Sequence, residues 1–94
     1  MLRLRFEWDP AKAASNLRKH GISFEEAATV FMDPLAVLVE DPVRSDRLLM
    51  LGLSAASRVL VVVHAEVNDE LLRIISARRA TRHERRAYEE GTTI

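Results

Sequence analysis

Ninety-four residues, 48% of them apolar and 30% charged, suit one globular domain and leave no room for a second core. There is no cysteine, which excludes disulfides and thiol chemistry. The longest apolar run, Val59 to Val63, is far short of a membrane span, and the opening MLRLRFEWDP lacks the hydrophobic stretch of a secretory leader, so a cytoplasmic protein is expected.

The net charge is zero, but it is unevenly spread. Between Arg73 and Arg86 six arginines face one acid, whereas between Glu25 and Asp46 six acids face one arginine. Basic and acidic surfaces are therefore expected on one molecule.

In chain order, Leu2, Leu4 and Phe6 alternate with charged residues and predict a short strand. Asp9-Pro10 reads as an N-cap followed by a first-turn proline, opening a helix that Gly21 stops after His20. Ser23 and Glu26 form a capping-box pattern for a second helix. Its stripe is Phe24, Ala27, Ala28 and Phe31, and Asp33-Pro34 ends it. Four β-rich runs follow at 35–39, 47–54, 58–67 and 71–80, with Asn68-Asp69 as a hairpin turn. Thr81 and Glu84 make another capping box, opening a last helix that ends at Gly91. The order is βααββββα in a single α+β domain spanning residues 1–94.

A two-residue turn at 68–69 sets His64 opposite Arg73, and a loop at 54–57 sets Leu53 opposite Arg58 and Arg47 opposite His64. One sheet face then carries Arg47, Arg58, His64, Glu66, Arg73 and Arg79. The other carries Val59, Val61, Val63, Ala65, Leu72 and Ile74 and is the expected bed for the two N-terminal helices. Arg47, His64 and Arg73 in one row beside Glu66 suit metal-free RNA cleavage. A base takes the 2′-hydroxyl proton, an acid protonates the leaving oxygen, and cations stabilise the phosphorane. His64 or Glu66 can serve as base, and the arginines present forked donors to phosphate. The same residues also fit a cross-strand salt network.

Elsewhere, Arg82, Arg85, Arg86 and Glu89 stand at helical spacing and either pair along the helix or track an RNA backbone, with Arg58 and Arg79 beside them. Glu84 fits a cap, and Tyr88 packs on the sheet. The three histidines lack ligand spacing, so neither metal nor cofactor is expected.

Three blocks, FEWDPAKAASNLRKHGISFEEAATVFMDP at 6–34, RVLVVVH at 58–64 and RIISARRATRHERRAYE at 73–89, together resemble the BrnT toxin family over nearly the whole chain. Ser57 stands where such proteins often have glycine. The resemblance implies a RelE-like fold, an antiparallel twisted sheet with two N-terminal helices on one face and a C-terminal helix. It also implies an endoribonuclease toxin of a type II toxin–antitoxin system that inhibits translation and growth. Its partners would be RNA and a BrnA-like ribbon–helix–helix antitoxin, with operator DNA reached only through the antitoxin and toxin–antitoxin units able to pair. The site residues it implies are Arg47, Arg78, Glu84, Arg85 and Tyr88. The alternative is an inactive module that holds a DNA-binding antitoxin. A plain nucleic-acid-binding domain is disfavoured by the zero net charge.

Overall fold

Residues 4–91 are described by a computed structural model of the chain, so Leu2 of the predicted first strand lies outside them. The elements are β1 (Arg5–Glu7), α1 (Pro10–His20), α2 (Phe24–Thr29), a 3-10 turn (Val30–Met32), β2 (Val37–Glu40), β3 (Leu48–Leu53), β4 (Val59–Glu66), β5 (Leu71–Arg79) and α3 (Arg82–Glu90). Local chemistry explains most of the helix boundaries. Asp9 accepts from the Ala11 N–H at 2.8 Å with Pro10 in the first turn, and Gly21 closes α1 at φ 68°. Ser23 caps α2, but its Glu26 turns away from the backbone toward Arg58, so the capping box expected for this helix is only half formed.

The sheet runs β1-β5-β4-β3-β2. Its consecutive strands β2 to β5 pair antiparallel, as hairpins require, but β1 lies parallel to β5 because no hairpin joins them. The sheet is mixed, which corrects the expected antiparallel one.

Both expected hairpin registers are corrected by one residue. Ser54 pairs with Arg58 around a loop of three residues, 55–57, in which Ser57 takes the left-handed conformation at φ 62°. At the next turn Asn68 Oδ1 accepts from both Glu70 and Leu71, lengthening the loop so that Val67 meets Leu71. His64 therefore lies opposite Leu48 and Ile74, not Arg47 and Arg73. A bulge between the His64 and Val63 pairs then inserts Ile75 as an extra residue in β5.

These shifts exchange the roles of the two faces. The helices cover Leu60, Val62, Ile74 and Ala77, which join Ile22, Phe24, Ala27 and Val30 in the core. The face carrying Val59, Val61 and Val63 is not their bed. Gly52 lies so near the 3-10 turn that a Cβ there would come within 2.9 Å of Val30 and Ala36. Along β5, β1 covers only Leu71–Arg73. Beyond it Asn16 of α1 supplies what a strand would: its amide donates to Ala77 O (2.9 Å) and Ile22 O (3.0 Å), and its Oδ1 accepts from Ala77 N (3.0 Å). Asn16 is 5% exposed, so these bonds are shielded from water.

Candidate active site around helix α3

Helix α3 is fixed at three points. Thr81 and Glu84 complete a capping box, with Thr81 Oγ1 accepting from the Glu84 N–H and Glu84 Oε1 accepting from the Thr81 N–H. Arg78, at the end of β5, donates to both Glu84 oxygens at 2.7 and 2.9 Å. That guanidinium, helped by the Thr81 N–H, outweighs burial and holds the Glu84 carboxyl at about 2. One turn on, Ala87 is buried, and the Tyr88 hydroxyl donates to Asp33. Burial and Asp33 together push the Tyr88 hydroxyl up to about 12. Burial alone would raise the Asp33 carboxyl, but hydrogen bonds from Leu53, Tyr88 and Leu35 bring it below the ordinary range.

The arginines from Arg58 onward fall into two sets. Arg58 forks onto Glu26, which also accepts from Ser54; Arg73 pairs with Glu7 at 2.6 Å; Arg78 pairs with Glu84. In contrast Arg79, Arg82, Arg85 and Arg86 are exposed and make no salt bridge among the described residues. They line two grooves on either flank of α3. One, of about 310 Å³, gathers Leu53, Ser57, Arg58, Arg79, Arg85 and Glu89. The other, of about 390 Å³, is lined by Arg82, His83 and Arg86, which puts an exposed imidazole in one groove with two guanidinium groups.

The other predicted site residues lie elsewhere. His64 is 2% exposed, its ring edge-on to Phe31 at 4.8 Å and its Nδ1 3.3 Å from Val62 O. Burial lowers its pKa against the smaller opposing effects of Val62 O and Glu66, so it sits neutral in the core. Glu66 is exposed at the far end of β4. Arg47 precedes β3 in a pocket with Asp41, Val43 and Ser45, its Nε buried without a hydrogen bond among the described residues. Arg78 stands level with Leu51 across β4, four residues from Arg47, so roughly 13 Å separates the two along the strands. Arg47, His64, Arg73 and Arg78 do not converge.

The family model for the BrnT ribonuclease toxin of type II toxin–antitoxin systems matches residues 8–84. The chain belongs to the BrnT family. The crystal structure of the Brucella abortus ribonuclease toxin BrnT is similar at 26% identity and a TM-score of 0.66, covering 87% of this chain and all of that one. No curated protein matches. The α+β fold with its five-stranded mixed sheet and C-terminal helix is thus a BrnT fold, and the chain is a ribonuclease toxin of a type II toxin–antitoxin family.

Of the residues expected from sequence, Arg79, Arg82 and Arg85 are exposed, whereas Arg58 bonds to Glu26, Arg78 to Glu84 and Tyr88 to Asp33. Sequence reasoning passed over His83, although the spacing Arg82-His83-x-x-Arg86 sets all three on one flank of a helix. Among the described residues no three His, Asp or Glu side chains are grouped as metal ligands, and no helix is long and apolar enough to cross a membrane.

Proposed function

We propose that this BrnT chain cuts RNA without a metal ion at the basic surface around α3, and so blocks translation and growth until a cognate antitoxin neutralises it. The observation that carries the reading is the partition of the arginines: Arg79, Arg82, Arg85 and Arg86 are exposed without salt bridges among the described residues, Arg82 and Arg86 beside His83, while Arg58, Arg73 and Arg78 are paired. RNA phosphates dock on Arg79 and Arg85 and on Arg82 and Arg86. At the scissile phosphate, His83 takes the 2′-hydroxyl proton as the 2′-oxygen attacks phosphorus. Arg82 and Arg86 stabilise the charged phosphorane, and the 5′-oxygen leaves, protonated by solvent, to give a 2′,3′-cyclic phosphate. His64 and Glu84 take no part in this scheme, one being in the core and the other held ionised by Arg78.

The family membership supports the wider setting. It comprises a RelE-like relationship of the fold, a BrnA-like ribbon–helix–helix antitoxin that makes the operator DNA contacts, paired toxin–antitoxin units and a cytoplasmic site of action. A second reading, a chain that holds its antitoxin without cutting RNA, draws on the burial of His64 and the locked state of Glu84, which leave few groups for proton transfer.

Cleavage of a labelled RNA oligonucleotide by the purified full chain, with end groups identified by mass spectrometry, tests the proposal. The expected result is a cyclic phosphate product and a loss of about 100-fold or more in His83→Ala, with Arg73→Ala and Arg47→Ala near wild type. If Arg47→Ala is inactive while His83→Ala cuts normally, the active site lies at the other end of the sheet. A wild-type chain that binds antitoxin but leaves RNA intact would establish the second reading.

A further inference from the structure

Beside the arginine groove the protein exposes apolar surface that its own fold does not use. Met32 is 82% exposed, Leu35 72% and Leu53 40%. Met32, Pro34, Leu53 and Ala55 line a groove of about 400 Å³, and Leu53 also lines the groove of Arg79 and Arg85, so the two adjoin at that residue. Resting on the reading of the chain as a toxin with a protein antitoxin, we infer that this composite groove docks the inhibitory segment of the antitoxin. That segment would combine large apolar side chains with acidic ones, the apolar residues lying over Met32 and Leu53 and the carboxylates reaching Arg79 and Arg85.

Charge and hydrogen-bond capacity select this occupant. In the apolar part of the groove the polar side chains are already engaged. Thr29 Oγ1 donates to Glu26 O and accepts from Ala55 N, Ser54 Oγ donates to Glu26, and Asp33 accepts from Leu35, Leu53 and Tyr88. A polynucleotide would meet no guanidinium or ammonium group there, only the Asp33 carboxylate, which repels phosphate. A peptide with apolar side chains loses nothing by covering such a surface and gains the area it removes from water. The arginine half asks for anions, and a second copy would bring its own arginines to the same junction. Occupancy of the composite groove would also lie over Arg79 and Arg85, closing one of the two RNA grooves.

The test titrates the purified full chain with the cognate antitoxin by calorimetry, comparing wild type with Met32→Asp and Ala55→Asp and assaying each for RNA cleavage. Both residues line the groove and are exposed, so the variants should fold as the wild type does. The expected result is about 30-fold or weaker antitoxin binding with unchanged cleavage. Wild-type affinity in both variants overturns the proposal and leaves the ribonuclease reading intact. Loss of cleavage with native circular dichroism overturns it in favour of RNA in the groove. A concentration-dependent dimer that the variants abolish, with antitoxin binding unaltered, overturns it in favour of a second copy. If the wild-type chain binds antitoxin but cuts no RNA, a loss of affinity in the variants still upholds the docking surface while the ribonuclease reading fails.

Discussion

Replacing Asn16 by alanine should be among the most damaging single changes in the chain, although the residue has no part in the chemistry. Its side chain makes three bonds to backbone groups, Ile22 O, Ala77 O and Ala77 N, at 2.9–3.0 Å. Each bond is worth about 1 kcal/mol net, and a buried group stripped of its partner costs about 1–3 kcal/mol. Partial access of water to the opened site keeps the sum near 3–5 kcal/mol, a large share of the roughly 5–15 kcal/mol that holds such a domain together. Urea unfolding followed by the fluorescence of Trp8 should show the midpoint falling by about 1.5–3 M at unchanged slope. Asn16→Asp keeps an acceptor for Ala77 N but sets a carboxylate against two carbonyl oxygens, so at neutral pH it should be no better than alanine. A midpoint within about 0.5 M of wild type for Asn16→Ala would show that Asn16 does not carry the edge of β5.

Other outcomes follow from the groups around α3. Glu84 is held at about 2, below its ordinary 4.5, so it stabilises the fold above pH 4.5 and that contribution drains away as the pH falls toward 2. Because Arg78 is 40% exposed, the contribution is about 2–3 kcal/mol rather than the full shift, and the gap in thermal stability between wild type and Glu84→Gln should narrow over that window. Tyr88→Phe removes one of the donors to Asp33 and should cost about 1 kcal/mol, seen as a fall in Tm of roughly 4–8 °C. Ser57→Gly relieves a side chain held at φ 62° and should gain about 0.5–1 kcal/mol, whereas a loss would mean the serine contributes more than its strain. Arg79→Ala and Arg85→Ala should each weaken RNA binding and reduce its dependence on salt.

Signals confined to a few neighbouring residues were readable in advance. Asp9-Pro10, Gly21, the Thr81–Glu84 box and Gly91 act within one turn, and the helices begin and end where they indicate. The face of the sheet was not readable, because β4 is apolar on both sides and alternation cannot choose between Val61 and Val62. The choice depended on loop length, and a single residue in each loop moved Arg47 and Arg73 away from His64. The candidate surface was half legible. An arginine-rich end of the chain was plain, but which arginines stay open depends on Glu26 meeting Arg58 and Glu7 meeting Arg73 across long stretches of chain.

The placement of β5 bears on how a cell can make such a protein safely. β1, α1 and α2 all pack on β5, and Asn16 bonds to a residue 61 positions further on. Part of the surface on which the N-terminal third packs is therefore missing until the ribosome has passed residue 79. A nascent chain that ends before residue 71 lacks β5 and all the arginines of α3. On the ribonuclease reading proposed above, harm is thereby deferred until those residues have been made.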